Sequence, residues 1–464
     1  MKVKSSTNKK MKNLKHLLFC AILFLASTNS LSYADEVSIN DTLLKAISTN
    51  PEIQAKWHSF LAAEKEAVAA KGGFLPRLDL TAGIGRENLD GKGYEGRDYL
   101  YYTRDGVSLS LTQMIFDGGY TSSKVKRFNQ AQQMRYFDLV SSMEQIALSA
   151  IRSHEDIQRY RTLVEMAKRN VERHQEIRGK VEKRAQAGAD SQVNLQTAQG
   201  RLALALVNLM TEESNLHDSD TQYVRIVGES PANSLEKTVI NINLPEDIDS
   251  AMEQIYVDNP QISSYESRVK SMNYAVNEQK SKMSPRLDLR ASTNFDNTVD
   301  GVEGRKDKAL VELLFRYNLY NGGSDKASIE SFEELVKESQ ELKSKAEREV
   351  KQIALVSYND IKTLSKQLES LDQHRRFADQ TRIVYEKQFE AGRRTLLDLL
   401  DSENEYFQAN RAYANAQANL LIAKARYLVA SGRLLRYFDV FGDKLPSAQE
   451  IREEIAKDKK DKEI

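Results

Sequence analysis

Little in this chain would break a helix: 464 residues contain only 7 prolines. Cysteine and tryptophan occur once each, and 67 Lys and Arg cancel 67 Asp and Glu. The missing net charge removes the basic stripe that marks nucleic-acid binders, so no nucleic acid is expected as a partner. A mean hydropathy of -0.57, without a succession of long apolar runs, excludes a bundle of membrane-spanning helices. One cysteine excludes a disulfide framework. Charge is what remains abundant, at 29% of residues. With so little proline it points to long, solvated helices, in a chain long enough for roughly two to four ordinary domains.

The N-terminus reads as a signal peptide over residues 1–34. Lys2, Lys4, Lys9, Lys10, Lys12 and Lys15 precede an apolar core from Leu17 to Ala26, and Ser32-Tyr33-Ala34 offers a peptidase site before Asp35. Met11 would also serve as a start. Cys20 falls inside the removed segment, behind bulky Phe19 and with too little apolar sequence before it for lipid attachment. The exported chain is therefore expected to have no thiol chemistry and to need a large self-supporting fold.

Self-similarity dominates the remainder. Asn50-Pro51-Glu52-Ile53 returns as Asn259-Pro260-Gln261-Ile262, and Pro76-Arg77-Leu78-Asp79-Leu80 as Pro285-Arg286-Leu287-Asp288-Leu289, both 209 residues later. Asp117-Gly118-Gly119 returns as Asn321-Gly322-Gly323, Ala187-Gly188 as Ala391-Gly392 and Gly228 as Gly432, all 204 residues later. Two constant offsets mean a tandem duplication with one five-residue deletion between Leu289 and Asn321. The expected organisation is a first repeat over 35–230, a linker over 231–245 marked by Pro231 and Pro245, a second repeat over 246–433 and a tail over 434–464. The charge run from Lys457 to Glu463 reads as a solvated, disordered end.

Each repeat opens with a helix of about 30 residues near Ser38 or Asp247, interrupted by Asn-Pro. The period then changes to alternation. Leu78, Leu80, Ala82 and Ile84 oppose Asp79, Thr81, Gly83 and Gly85, and Val107, Leu109 and Leu111 oppose Ser108, Ser110 and Thr112. The second hairpin sets Leu287, Leu289 and Ala291 against Asp288, Arg290 and Ser292. Its partner strand sets Val311, Leu313, Phe315, Tyr317 and Leu319 against Glu312, Arg316 and Asn318, with Leu310 and Leu314 breaking the polar face. The hairpins span 76–117 and 285–320. Polar loops are expected from Arg86 to Arg104, with Tyr94, Tyr99, Tyr101 and Tyr102, and from Asn297 to Lys308. Helix pairs follow over 119–228 and 323–432. No proline interrupts Gly119 to Gly188 or Gly323 to Gly392, and Gly179 is the one internal glycine. Phe128, Ala131, Met134, Ile146, Ala150, Ile157, Tyr160 and Leu163 keep helical spacing. Such a helix, about 100 Å long, needs a coiled-coil or bundle setting.

An exported chain with four alternating strands cannot close a barrel alone, and open sheet edges are not tolerated in lipid. Outer-membrane barrels begin at about eight strands. Three copies would supply twelve, about enough for an open pore. The other architecture that fits is a coiled-coil envelope scaffold carrying two surface hairpins.

The duplication, the Leu75-Pro76-Arg77-Leu78 strand start, the Phe116-Asp117-Gly118-Gly119 strand exit and the run from Phe389 to Asp401 (FEAGRRTLLDLLD) resemble the TolC-type outer-membrane efflux proteins. The similarity covers about Val37 to Gly432. It implies an α+β membrane protein and a homotrimer with a twelve-stranded outer-membrane β-barrel, continued by a periplasmic α-helical barrel. The chain would then be the exit duct of a tripartite export system, in outer-membrane lipid and extending into the periplasm. Its partners would be a periplasmic adaptor and an inner-membrane transporter of the ABC exporter kind. The sequence leans slightly toward the members that serve type I protein secretion, with multidrug efflux as the alternative.

The resemblance also assigns residues. Asp398 and Asp401 match an acidic constriction ring, which would suit a divalent cation. Read alone, they are also ordinary helix-start acids favoured by the macrodipole. Arg394 matches an arginine that tethers the neighbouring helix pair in the closed state. The family's acid and threonine partners stand here as Asn194 and Val193, and its tyrosine as Phe389. Closure is thus expected to rest on an Arg394–Asn194 hydrogen bond, with Asp190 nearby. The turns with Ala187 and Gly188, and with Ala391, Gly392 and Arg393, match adaptor-contact tips, although such glycines also suit any tight turn.

Catalytic patterns are missing. Gly119-Tyr-Thr-Ser-Ser-Lys lacks phosphate-loop spacing, and His154-Glu155 has no second histidine. His58, His154, His174, His217 and His374 lack metal-ligand spacing. No enzyme and no cofactor is expected.

Overall fold

The computed structural model describes residues 36–89, 100–299 and 302–441. The signal peptide with Cys20, Tyr94 and Tyr99, and the charged tail from Lys457 lie outside these residues. The chain forms two compact units, and each repeat contributes to both. One unit holds residues up to Trp57, Phe137–Ser263 and the chain from Ala346; the other holds His58–Tyr136 and Ser264–Lys345.

The interrupted opening helix is present in both repeats, as α1 (Ile39–Thr49) and α2 (Pro51–Lys71), and as α5 (Ile248–Asp258) and α6 (Pro260–Ser281). Ser38 caps α1 by accepting the Asp41 N–H, and Asp247 caps α5 through Asp249. At each break the asparagine is extended, as the following proline requires. Proline suits the first helical position, where its missing N–H is not needed. The asparagine side chain supplies the new cap: Asn50 Oδ1 accepts the Glu52 N–H at 2.9 Å and Asn259 Oδ1 accepts the Gln261 N–H at 2.9 Å. The repeated Asn-Pro is therefore a helix stop and restart in two residues.

The unit of His58–Tyr136 and Ser264–Lys345 carries one antiparallel sheet, β1 (Arg77–Leu89), β2 (Leu100–Phe116), β3 (Arg286–Val299) and β4 (Val302–Arg316), in that order, and the other is the helical unit. Register sets Leu80, Leu109, Thr293 and Ala309 in one row across the four strands. On the same face lie Leu78, Val107, Leu111, Leu289, Phe295, Leu313 and Phe315. The exposed members of this face include Leu78, Leu80, Ile84, Val311, Leu313 and Phe315, each more than 60% accessible. From Leu287 to Phe295 the band runs about 27 Å along the strand at about 3.4 Å per residue. Tilted strands of that length give about the apolar band height of an outer-membrane barrel. The opposite face is polar (Asp79, Thr81, Ser108, Ser110, Ser292, Asn294), apart from Met114, Leu310 and Leu314.

Two expectations need correction. The strands reach further than the polar loops suggested, to Leu89 and from Leu100, and to Val299 and from Val302. Ladder hydrogen bonds do not require apolar side chains, so Tyr101 and Tyr102 pair with Asn88 and Glu87. In the second hairpin Thr298, with φ 52°, is skipped between the paired residues Asn297 and Val299. Conversely, β4 stops at Arg316 instead of continuing through Tyr317 to Leu319. Beyond Arg316 the neighbouring strand β3 has ended, so the backbone has no ladder to join.

The long hairpins are α3 (Tyr120–Gln186) with α4 (Gln192–Val227), and α7 (Ser324–Glu390) with α8 (Leu396–Ala430); a single turn, α9 (Leu434–Tyr437), follows. α3 and α7 each run 67 residues. Such length is stabilised by packing, not by propensity. Ile248, Met252, Ile255, Val350, Ala354, Tyr358, Ala423 and Tyr427 form one core in the helical unit. The Tyr358 hydroxyl donates to the carbonyls of Pro245 and Glu246, fixing the linker to α7. A buried polar network holds the first repeat: His154 sits 3.1 Å from the Thr42 hydroxyl and 2.9 Å from the Glu236 carbonyl.

Candidate functional site

The residues singled out from the sequence gather at the two turns joining the long helices, all within the helical unit. Both turns have the same hydrogen bonding. The Ala189 N–H donates to the Arg184 carbonyl at 2.8 Å and Gly188 to Ala185 at 3.0 Å. Their equivalents are Arg393 to Gln388 at 2.7 Å and Gly392 to Phe389 at 3.0 Å. This six-to-one and five-to-two pattern requires a left-handed residue, and Gly188 and Gly392 adopt φ 71° and 67°. The chain then restarts on Ser191, which accepts the Asn194 N–H, and on Thr395, which accepts the Asp398 N–H.

Asp398 completes a reciprocal capping box. Its carboxylate accepts from the Thr395 hydroxyl at 2.8 Å and the Thr395 N–H at 3.3 Å. Those two bonds, together with Arg394 at 3.8 Å, hold the carboxyl below its usual pKa. Asp401, one turn further on, is 2.6 Å from Arg201 Nη2 of α4. Both acids remain accessible, with 39% and 56% of their side-chain surface exposed. They are thus helix-start acids and exposed carboxylates together, and Asp401 brings a guanidinium with it.

The expected Arg394–Asn194 hydrogen bond is not formed within the chain. Arg394 lies over the Tyr385 ring at 4.3 Å and donates from Nε to Gln388 at 2.9 Å. Asn194 instead donates to Asp190 at 2.6 Å, and Asp190 is 3.9 Å from Arg184. Both side chains are satisfied within their own hairpin, which explains why neither reaches across. Phe389 packs in the tip core with Ile177, Val181, Ala198, Leu396, Leu399 and Leu400, under the Arg184 guanidinium at 5.1 Å.

What joins the two hairpins was not foreseen. Arg173 of α3 meets Glu386 of α7 at 2.6 Å and Glu403 of α8 at 2.8 Å; Lys180 meets Glu390 at 2.6 Å and Glu386 at 3.5 Å. Burial opposes charge on Arg173, but its contacts with Glu386 and Glu403 outweigh that and raise its pKa. Burial likewise raises Glu386, yet Arg173 and Lys180 win and hold it below the usual carboxylate range. Next to this cluster His174 is buried, with Nδ1 unpartnered; burial, then Arg201 and Arg173, push it down to about 4. The available signal was spacing: Glu386 and Glu390 are one helical turn apart, and Arg173 and Lys180 two turns apart.

The sequence profile described as "Outer membrane efflux protein" matches residues 43–229 and 251–433, that is, both repeats. The outer membrane protein TolC of Escherichia coli is 22% identical over 89% of this chain and 85% of its own. The alkaline protease secretion protein AprF of Pseudomonas aeruginosa is 22% identical over 91% and 89%. Among solved structures, the CmeC outer membrane channel of Campylobacter jejuni superposes with a TM-score of 0.78 at 14% identity, over 90% of this chain and 89% of its own. With a duplicated sequence, an apolar-banded sheet with open edges and paired long helices, the chain belongs to the outer membrane efflux protein family.

Proposed function

We propose that this outer-membrane efflux channel is the exit duct of a type I protein secretion system, built from three copies. The single observation that carries the duct is the sheet: four strands, two unpaired edges and one apolar face of about bilayer height, which lipid tolerates only when closed. Three copies pool twelve strands, and the long helix pairs build the periplasmic part. Ala187, Gly188, Ala391, Gly392 and Arg393 on the two exposed turns meet a periplasmic adaptor, which links the duct to an ABC exporter in the inner membrane. Purified protein in planar bilayers should give discrete single-channel currents; a coiled-coil scaffold gives none.

Similarity to AprF, a secretion protein by name, supports protein cargo. Deleting the gene should abolish one or a few secreted proteins while leaving drug sensitivity unchanged. The opposite outcome makes it a drug-efflux duct.

Asp398 and Asp401 line the aperture. Closure rests on the Arg173–Glu386–Lys180 cluster in place of an Arg394–Asn194 bond. Replacing Arg394 with Ser should therefore raise single-channel conductance only slightly, whereas the double replacement Arg173→Ala, Lys180→Ala should raise it several-fold. Equal responses to both would show that Arg394 still holds the duct shut.

A further inference from the structure

The helical unit holds a cavity of about 600 Å³ between α3 of the first repeat and α7 and α8 of the second. Arg152 and Arg159 of α3 and Arg426 of α8 line it, against two carboxylates, Asp156 and Asp360. Arg159 Nη2 lies 2.8 Å from Asp156, and Arg426 Nη2 lies 2.7 Å from Asp360. Each contact commits one nitrogen of a group that carries five N–H donors. The Nε atoms of both arginines are buried without a hydrogen-bond partner among the described residues. Most buried donors in folded proteins are satisfied, so two orphans beside one cavity ask for an acceptor. Arg152 is exposed, forms no ion pair among the described residues and acts on Asp156 through its field. Burial raises the Asp156 carboxyl against the pull of Arg159 and Arg152, which weakens the negative side of the cavity further.

The duplication separates scaffold from addition here. At the offset of 204, Asp156 corresponds to Asp360 and Asn215 to Asn419. The three arginines have no such counterparts: their equivalents are Val356, Thr363 and Gln222. Helices of the same 67 residues form in both repeats, so their formation does not depend on these arginines. Arginines that served only to hold the long helices would be expected at both sets of positions.

We infer that this cavity binds a hydroxylated organic oxyanion, a small polar molecule carrying a carboxylate or a phosphate. Three guanidinium groups against two carboxylates leave the cavity positive, and their planar forks match the paired oxygens of either group. The volume is that of a small-molecule site and exceeds what an inorganic ion fills. Asn359, Gln367 and Asn419 offer amide donors and acceptors to hydroxyl groups, and Leu364 and Ile422 offer a wall to the carbon frame. A ligand held there would tie α3 to α7 and α8 and so join the two repeats.

Isothermal titration of citrate and of glycerol phosphate into the protein in mild detergent, at constant ionic strength, tests the site. At least one should bind saturably and raise the melting temperature, as a ligand of the folded state does. Binding of citrate alone assigns a carboxylate, and of glycerol phosphate alone a phosphate ester. Glycerol, without the charge, and inorganic phosphate, without the hydroxylated frame, should bind about ten-fold more weakly or less. Arg152→Val and Arg426→Gln each install the residue of the other repeat, and should weaken binding by about ten-fold or more. Arg426→Gln strips Asp360 of its partner and can lower stability. Arg152 has no ion pair to lose, so Arg152→Val decides the matter if the other variant does not fold. The site is overturned if neither organic anion binds saturably, if inorganic phosphate binds equally well, or if every folded variant keeps the parent affinity.

Discussion

Asp401 is not a bare carboxylate, because Arg201 of the same chain shares its charge at 2.6 Å. An exposed pair of this kind contributes about 0–1 kcal/mol to stability, so its importance is electrostatic. Arg201→Ala should leave the fold intact and shift the reversal potential toward stronger cation preference, and Asp401→Ala should shift it the other way. An unchanged reversal potential in both would remove Asp401 from the conducting path. His174 gives a pH signature. Its folded pKa, about 4, lies below the ordinary value of 6.5. Between those values the unfolded chain binds a proton that the folded chain does not, so stability falls on acidification across that window by up to about 3 kcal/mol. His154, also depressed by burial, adds in the same direction. His174→Gln should therefore lose less melting temperature than the parent between pH 7 and pH 5, and equal losses would contradict this. The acids at 398 and 401 were legible because the motif around them is contiguous. Arg201 and the Arg173–Lys180 cluster were not, since their partners lie some 200 residues away and meet only through helix packing.

At the scale of elements, period and punctuation told nearly everything. Asn-Pro announced two helix restarts, and Ser191, Thr395, Gly188 and Gly392 fixed both hairpin turns by cap chemistry. Alternation located all four strands, but it could not say where a ladder ends. Polar residues past Arg86 still pair, while apolar Leu319 does not. Strand ends depend on whether a neighbour runs alongside, which pattern in one strand does not encode. The two faces of the sheet differ in tolerance. Leu313→Arg, on the apolar face, should cost about 2–4 kcal/mol near mid-bilayer and reduce the heat-stable trimer in outer membranes. Ser292→Arg, on the polar face, should leave the trimer intact and lower conductance instead. Equal damage from both would show that the faces have been assigned the wrong way round.

For the molecule as a whole, the duplication was visible in two constant offsets. How the repeats divide was not, because each contributes to both compact units. Photo-crosslinkers at Ala187 and Ala391 should capture an adaptor in cells with an assembled exporter, and an empty result at both would remove the turns from the docking surface. Those turns share a backbone but differ in charge. Gln186 to Ser191 carries one acid, Asp190, whereas Glu390 to Thr395 carries Arg393 and Arg394 against Glu390. Around a ring of three copies the rim would then alternate negative and positive every sixth of a revolution. A partner reading that rim can distinguish one angular setting from the next, so a backbone of near six-fold symmetry would accept an asymmetric partner in three orientations, not six.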